Sequence, residues 1–521
     1  MILTKIARAF CLSTAFAGMA LLVEPALAYD VLSGPSPFAA CNVAGEPGVN
    51  YLNAEVEPWV DVNPANPSNI IAGWQQDRWS NGGSRSLMSA YSADGGATWS
   101  RVVVPGISKC AGGTGDFAYD RATDPWVTIS PNGTAYFMSL GFNNDRADGG
   151  GGANSMMVSR STTGGATWSA PISLIRDTDG RAFSDKNSMT ADPVNSNYVY
   201  ATWDRLFDNT LPAGDLGTIS HGDGIQRAKA RRIRNAGGNT FNTVSYTGPT
   251  WFARTTNGGA TWEPAKLILD TGPNAQTINN LVVALPGGPV GTVIYNFATH
   301  IYHNGAVTIS FLKSLDRGAT FAPETTALPI DVTLKGTKTP DAKEPVRDAN
   351  ILFDVAADPV SKNLYLVWQD GRYQGVDRVN FSMSTNGGAS WSKPFVVAKT
   401  PANANKLRTQ SFVPSVEVGA GGKVYVSYYD FRNDIDDGKE ATDFWAISCN
   451  IAGGDDCRSA GGWGNEVRLT PLSFNMLDAP VARGHFLGDY MGLVRQGNVM
   501  RTVFGVATGP NLNEMVTATI P

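Results

Sequence analysis

The sequence predicts an all-β chain built as a single β-propeller, and three observations predict it. An octapeptide recurs five times, at residues 92–99, 161–168, 255–262, 314–321 and 384–391, with starts 59 to 94 residues apart. Short alternating runs flank the copies, such as residues 86–91 before the first and 101–104 after it, which reads as strand, tight turn, strand. A second unit, an aromatic residue followed by an acid and an arginine, begins at Trp74, Trp203, Trp368 and Tyr429. Units returning at the interval of one small antiparallel sheet signal radial repetition, so the 521 residues make one large domain rather than two or three.

The turn chemistry of the octapeptide explains its pattern. Its third position is Asp94, Thr163, Asn257, Asp316 or Asn386, each a short oxygen acceptor suited to backbone N–H groups one or two residues on. Its glycines supply positive φ where a side chain would clash. The closing Trp or Phe is expected to plug the space between one sheet and its neighbour. Thr and Asn replace Asp without loss of the pattern, so the turns are read as structural rather than chemical.

The consensus Ser-x-Asp-x-Gly-x-x-Trp resembles the Asp-box, or BNR repeat, of the sialidase-like β-propellers. Five copies on hairpins imply that fold, although the box also occurs in propellers of unrelated function. Seven segments fit four-stranded blades: residues 57–104, 124–174, 185–269, 276–328, 344–398, 410–469 and 485–521. The sixth replaces the octapeptide by the loop between Cys449 and Cys457. The last holds only three strands, and residues 34–50 are expected to add its outer strand and close the ring, which removes exposed edges. Characterised sialidases have six blades, and six follows here if one segment has been split in two.

Residues 1–28 read as a secretory signal: Lys5 and Arg8 at the charged end, an apolar core from Ala15 to Val23, and a small-residue cleavage site ending at Ala28. Residues 29–521 are then the propeller, exported to the periplasm or beyond, with no later stretch long and apolar enough to span a bilayer. Cleavage removes Cys11 and leaves four cysteines, which suggests the pairs Cys449–Cys457 and Cys41–Cys110. No C-x-x-C occurs and histidines number four, so a metal centre is not indicated; Ca²⁺ on acidic rings has no motif to support it, and no cofactor is expected. The whole chain has 41 basic and 46 acidic residues; losing Lys5, Arg8 and Glu24 leaves 39 and 45, a net charge of −6 that argues against nucleic-acid binding. A monomer is expected.

The end of a blade's second strand and the start of its first share one face, opposite the octapeptide turns. The units Asp77-Arg78, Asp204-Arg205, Asp370-Gly-Arg372 and Asp430-Phe-Arg432 therefore gather at one mouth of the channel. There they meet Glu57, Asp124, Asp185, Lys186, Arg347, Asp348, Gln410, His485, Asp489 and Tyr490. Each Asp–Arg unit reads as an ion pair that orients a loop, yet such a ring is also where perturbed pKa values and anion recognition arise. An insertion at residues 206–248 on the same face carries His221, Arg227, Lys229, Arg231, Arg232 and Arg234; it is read equally as a cationic lid or a solvated loop. The glycine run at 149–152 is read as flexible.

The resemblance implies three arginines clamping a carboxylate, a Tyr–Glu nucleophile and an Asp acid/base. The stretch from Gly488 to Leu493 is similar to the one holding the family's nucleophilic Tyr, which points to Tyr490. Arg78 and Arg347 match two of the arginines. The family's arginine before the first blade is replaced by Glu55-Val-Glu57-Pro58, and Asn279-Asn280 stand where its Glu is expected. Three functions follow. A glycoside hydrolase on anionic glycans would draw its carboxyl pair from Glu57, Asp77, Asp124, Asp348 and Asp489, with substrate held by Arg78, Arg205, Arg347, Arg372, Arg432 and His485. A uronate lyase would use Tyr490 or His485 as base. A non-catalytic propeller would present the same face to a glycan or protein.

Overall fold

The structure, a computed structural model, describes residues 28–521 apart from 44, 144–151, 179–181, 209–245, 274, 303, 324 and 374. The first 27 residues of the expected signal, the basic cluster around His221 and most of the 149–152 run lie outside the described residues. Among the described residues regular structure is almost wholly antiparallel strand, with a few 3-10 turns of three or four residues. No helix of theirs is long and apolar enough to cross a membrane.

The strands pair in successive four-stranded units. The first is Glu55–Val62, Ile70–Arg78, Ser84–Ser92 and Ser100–Val103. The second is Arg121–Ile129, Ala135–Phe142, Asn154–Ser161 and Ile172–Asp177, whose first strand pairs with the first unit at Ser84 opposite Ala122. The third is Ala182–Ala191, Val199–Asp208, Thr250–Thr255 and Lys266–Leu269, and the fourth Gln276–Pro286, Thr292–Ile301, Val307–Ser314 and Thr325–Asp331. The fifth is Phe353–Ala357, Leu364–Asp370, Arg378–Ser384 and Phe395–Val396, and the sixth Ser411–Val418, Lys423–Asp430, Ala441–Asn450 and Gly464–Arg468. The last unit has Gly492–Gln496, Val499–Gly509 and Leu512–Ile520, and Asp30–Val31 pairs with the third of these. First strands of consecutive units touch in order, and Gly492–Gln496 touches Glu55–Val62.

Three expected boundaries are corrected. The last unit's first strand begins at Gly492 rather than 485. The fifth unit's first strand begins at Phe353 rather than 344. The strand completing the last unit is Asp30–Val31, not residues 34–50. That later stretch instead ties down the first two units: Ser36 donates to Asp77 at 2.6 Å, Cys41 is bonded to Cys110, and Glu46 meets the buried Arg121 at 2.6 Å. Cys449 and Cys457 form the second disulfide.

All five octapeptides join the third and fourth strands of their units. In the first, Gly96 N–H donates to Ser92 Oγ at 2.8 Å and Thr98 N–H to Asp94 Oδ1 at 2.9 Å. The second and fifth copies repeat this with Thr163 and Asn386 in place of Asp94. The third-position acceptor thus takes the N–H four residues on, not one or two, because the turn is wide enough to bring that amide beneath it. Gly96 sits at φ 91° with the Arg501 guanidinium 2.7 Å from where a Cβ would be, so the position demands glycine. The closing aromatics pack between units: Trp168 joins Ile71 and Leu87 of the first unit to Phe137 of its own.

Candidate functional site

The site is built by a recurrent backbone device. Bulges interrupt five first strands, between Val56 and Trp59, Thr123 and Trp126, Asp185 and Ser188, Ile278 and Leu281, and Phe412 and Ser415. One residue in each takes left-handed backbone: Glu57 (φ 56°), Asp124 (55°), Lys186 (44°), Asn279 (59°) and Val413 (47°). Such a conformation costs a non-glycine residue about 1–3 kcal/mol and persists only where its surroundings hold it. A bulge breaks the strand's two-residue alternation and re-aims a side chain. Glu57, Asp124 and Lys186, from three successive units, thereby come into one buried cluster with Asp489 of the last.

Lys186 is the hub of that cluster. Its Nζ lies 2.5 Å from Asp489 Oδ2 and 3.6 Å from Glu57 Oε1, so those two oxygens are separated by no more than the sum of these distances, about 6 Å. Its backbone N–H donates to Asp124 Oδ2 at 3.1 Å. On the far side Arg347 grips Asp489 with both prongs, Nε to Oδ1 at 3.0 Å and Nη2 to Oδ2 at 2.7 Å. Gln75 donates to Glu57, and Arg78 donates to Gln75 at 2.6 Å. The guanidinium groups of Arg78 and Arg347 both lie over the Phe486 ring, 4.8 and 4.2 Å from its centroid. Arg78 Nε and Arg347 Nη1 are buried with no hydrogen-bond partner among the described residues.

The environment pushes neighbouring carboxyls in opposite directions. Burial raises Glu57 to about 8, with Lys186 opposing and Asp489 and Asp124 adding to the rise. Burial would raise Asp489 too, but Arg347 and Lys186 hold it well below the usual carboxylate range. Asp185 and Asp204 sit directly opposite each other on paired strands. Burial and Asp124 lift Asp185 to about 6, and burial with Asp185 and Asp124 lifts Asp204 well above its ordinary value. Burial disfavours the Lys186 ammonium, but Asp124, Asp489 and Glu57 outweigh it and keep the charge. Burial and Arg347 bring Arg78 down to about 10.

Aromatic rings floor the cluster. Trp59 and Trp126 stack at 3.5 Å, and Tyr490 packs edge-on against them at 6.0 and 5.6 Å. Tyr490 Oη donates to the Pro125 carbonyl at 3.1 Å. Burial, with Glu57, Asp124 and Asp489 nearby, raises its phenol well above the usual value. Next to Asp489 and Tyr490 lies a cavity of about 20 Å³, room for roughly one water, also lined by Trp59, Trp126, Asp348 and Gln369.

The expected residues therefore divide. Glu57, Arg78, Asp124, Arg347, Asp489 and Tyr490 meet in the cluster. Asp348 borders the cavity and accepts from Thr337 N–H and Gln369 Nε2, both at 2.8 Å. His485 contributes backbone: its carbonyl accepts Arg347 N–H at 2.9 Å, while its ring Nδ1 lies 3.2 Å from the Ala479 carbonyl. Asp77 turns away from Arg78 to Ser36 and the Asn53 amide. Arg205 pairs with Asp177 of the second unit. Arg372 and Arg432 pair with Asp370 and Asp430 of their own units at 2.8 and 2.6 Å, the loop-orienting arrangement. Trp59, Trp126 and Phe486 were not singled out from sequence, whereas Asp204 was, as half of an Asp–Arg unit. The matching tripeptides Glu57-Pro-Trp59 and Asp124-Pro-Trp126 were the available signal for the two tryptophans.

A second cluster, Asp341, Asp434 and Glu440, has its carboxylate oxygens close enough together to hold a metal ion. Arg408 already occupies it, 2.8 Å from Asp341 and 2.7 Å from Asp434.

No protein-family profile matches the chain, and no curated protein matches it. Solved structures do superpose. The Hadza microbial sialidase Hz136 is 14% identical with a TM-score of 0.42, over 73% of this chain and 64% of its own, so the match spans just under two thirds of that sialidase. An α-L-arabinanase from Penicillium chrysogenum, bound to arabinobiose, is 12% identical at TM-score 0.44, over 77% of this chain and 93% of its own. A leech intramolecular trans-sialidase is 10% identical at TM-score 0.43, over 91% and 92%.

Proposed function

We propose that the chain is an exported, sialidase-like propeller of seven blades, with residues 1–28 its signal peptide, that hydrolyses glycosidic bonds of anionic glycans at the charged mouth. The closed succession of first strands supports the blade count. The two disulfides are compatible with an oxidising compartment. The octapeptide turns carry the likeness to the Asp-box.

The observation that carries the reaction is the Glu57–Asp489 pair. Glu57 retains a proton near neutral pH while Asp489, at most about 6 Å away, stays ionised. Carboxyl groups with separated proton affinities are the acid and the nucleophile of glycoside cleavage. Glu57 protonates the leaving oxygen as Asp489 attacks the anomeric carbon and the glycosidic C–O bond breaks; Glu57, now a carboxylate, then takes a proton from the water that displaces Asp489 and frees the sugar. The unpartnered N–H groups of Arg78 and Arg347 receive an anionic substituent of the sugar. Tyr490 is a wall of the site rather than a nucleophile, since burial and the nearby acidic side chains oppose its phenolate. The same fact weakens the form of the lyase reading that takes Tyr490 as its base.

A screen of the mature protein on chromogenic sialosides, neutral glycosides and uronate polysaccharides tests the reaction. Turnover lost by about 10²-fold or more in Glu57→Gln and kept in Tyr490→Phe supports it. Turnover that needs Tyr490 but not Glu57 refutes it. The binding reading is favoured by one observation: Asp489 is held by two cations and is only 5% exposed. Affinity for an anionic glycan without turnover establishes that reading instead.

A further inference from the structure

We propose that Lys186 is a positioning residue: its ammonium, carried on a left-handed bulge of the third unit, clamps Glu57 of the first unit and Asp489 of the last into one proton-sharing pair. The inference deepens the hydrolase reading and rests on it for its kinetic arm only.

The geometry is unusual for a structural lysine. Lys186 is 8% exposed, and its side chain reaches carboxylates 129 and 303 positions away in the chain. Its backbone is left-handed at φ 44°, a strained state for a long side chain, and the bulge between Asp185 and Ser188 is what turns the side chain inward. Its backbone N–H holds Asp124, so the one residue ties the second, first and last units together. Its ammonium also lies 5.7 Å from the Tyr490 ring centroid, which fixes its direction.

The charges around it define what it does. Asp124, Asp489, Glu57 and Asp185 face the ammonium. Glu57 faces Asp489, Asp124 and Arg78 besides Lys186. Asp489 keeps Arg347 as a second cation, whereas Lys186 is the nearer of the two cations that favour a Glu57 carboxylate. Removing Lys186 therefore leaves Asp489 its Arg347 anchor and takes from Glu57 the nearer of its two cations. Without that positive charge, Glu57 holds its proton to higher pH. An opposite charge at this range moves a carboxyl by about 1–3 pH units.

The test compares wild type, Lys186→Met and Lys186→Arg by two readouts. The first needs no substrate: difference infrared spectroscopy follows the protonated-carboxyl band that Glu57→Gln abolishes. The proposal expects its titration to rise by at least about one pH unit in Lys186→Met and to stay within about half a unit of wild type in Lys186→Arg. The second is the pH profile of kcat/KM, whose alkaline limb should move with the band. A lysine with a merely structural role would lower the amplitude of both readouts without moving either. An unmoved band in a folded Lys186→Met protein overturns the proposal. If that variant does not fold, a band displaced by a full unit in Lys186→Arg overturns it, and one that stays in place supports it. A shifted band in a protein that turns over no glycoside upholds Lys186 and sinks the hydrolase reading. Glu57-dependent turnover with an unmoved band does the reverse.

Discussion

Removing the Cys41–Cys110 bond should cost more stability through chain entropy than removing Cys449–Cys457. Cys41 and Cys110 close a loop with a sequence separation of 69, and the chain-entropy relation gives about 4.4 kcal/mol for it; the separation of 8 between Cys449 and Cys457 gives about 2.5 kcal/mol. The first bond has a further consequence, because it anchors the segment that leads from Asp30–Val31 into the first unit. That strand covers the edge of Leu512–Ile520, and without it an unpaired edge opens to solvent. Urea denaturation of Cys41→Ala/Cys110→Ala and Cys449→Ala/Cys457→Ala, beside wild type, measures the two costs. Amide exchange along Leu512–Ile520 should quicken in the first variant and not in the second. Equal losses of stability, or unchanged exchange in the first variant, refute the reasoning that the N-terminal segment closes the last unit.

Glu55, buried beside Gln76, is raised by that burial from 4.5 to about 8. The native state thus keeps a proton that the unfolded chain releases above pH 4.5, and stability falls as pH rises through that window. Glu55→Gln should leave stability unchanged near pH 4 and raise it by about 3 kcal/mol at pH 7, measured by denaturation at each pH; a gain independent of pH contradicts the assignment. A Cβ on Gly73 would meet the Phe137 ring at 2.5 Å, between the first two units, whereas one on Gly461 meets nothing within 4 Å. Gly73→Ala should therefore cost about 1–3 kcal/mol and Gly461→Ala about 0.5 kcal/mol or less, read as shifts in Tm; equal shifts would show that this interface is not tightly packed. Arg432→Ala leaves the buried Asp430 without its pair, so Tm should drop by the equivalent of about 3–5 kcal/mol while kcat/KM per folded molecule holds. A selective loss of activity there would return Arg432 to the substrate site.

Much of the architecture was legible because it is written locally and repeatedly. The octapeptides, the strand alternation and the cysteine spacings each act over a few residues. The site was only half legible, and chain geometry explains which half. Adjacent residues of an extended strand face opposite sides, so Asp204 and Arg205 do not pair, and at Asp77 a left-handed backbone (φ 64°) accompanies a carboxylate bonded to Ser36 and the Asn53 amide instead of Arg78. Spaced by two at a strand end, Asp370 and Arg372 pair, as do Asp430 and Arg432. The bulges at Glu57, Lys186 and Val413 were hidden because Glu, Lys and Val rarely take positive φ. Nothing near Lys186 in the sequence indicates Asp489, since the contact exists only once the units are arranged side by side.

The most direct test of the central claim is single-turnover hydrolysis of the best chromogenic glycoside by wild type, Glu57→Gln and Asp489→Asn, with trapping of any glycosyl-protein species. The account predicts that a covalent species forms on Asp489 in wild type, that Asp489→Asn forms none, and that Glu57→Gln slows cleavage most for glycosides with poor leaving groups. Full turnover in both variants, or a glycosyl group trapped on Tyr490, would contradict it.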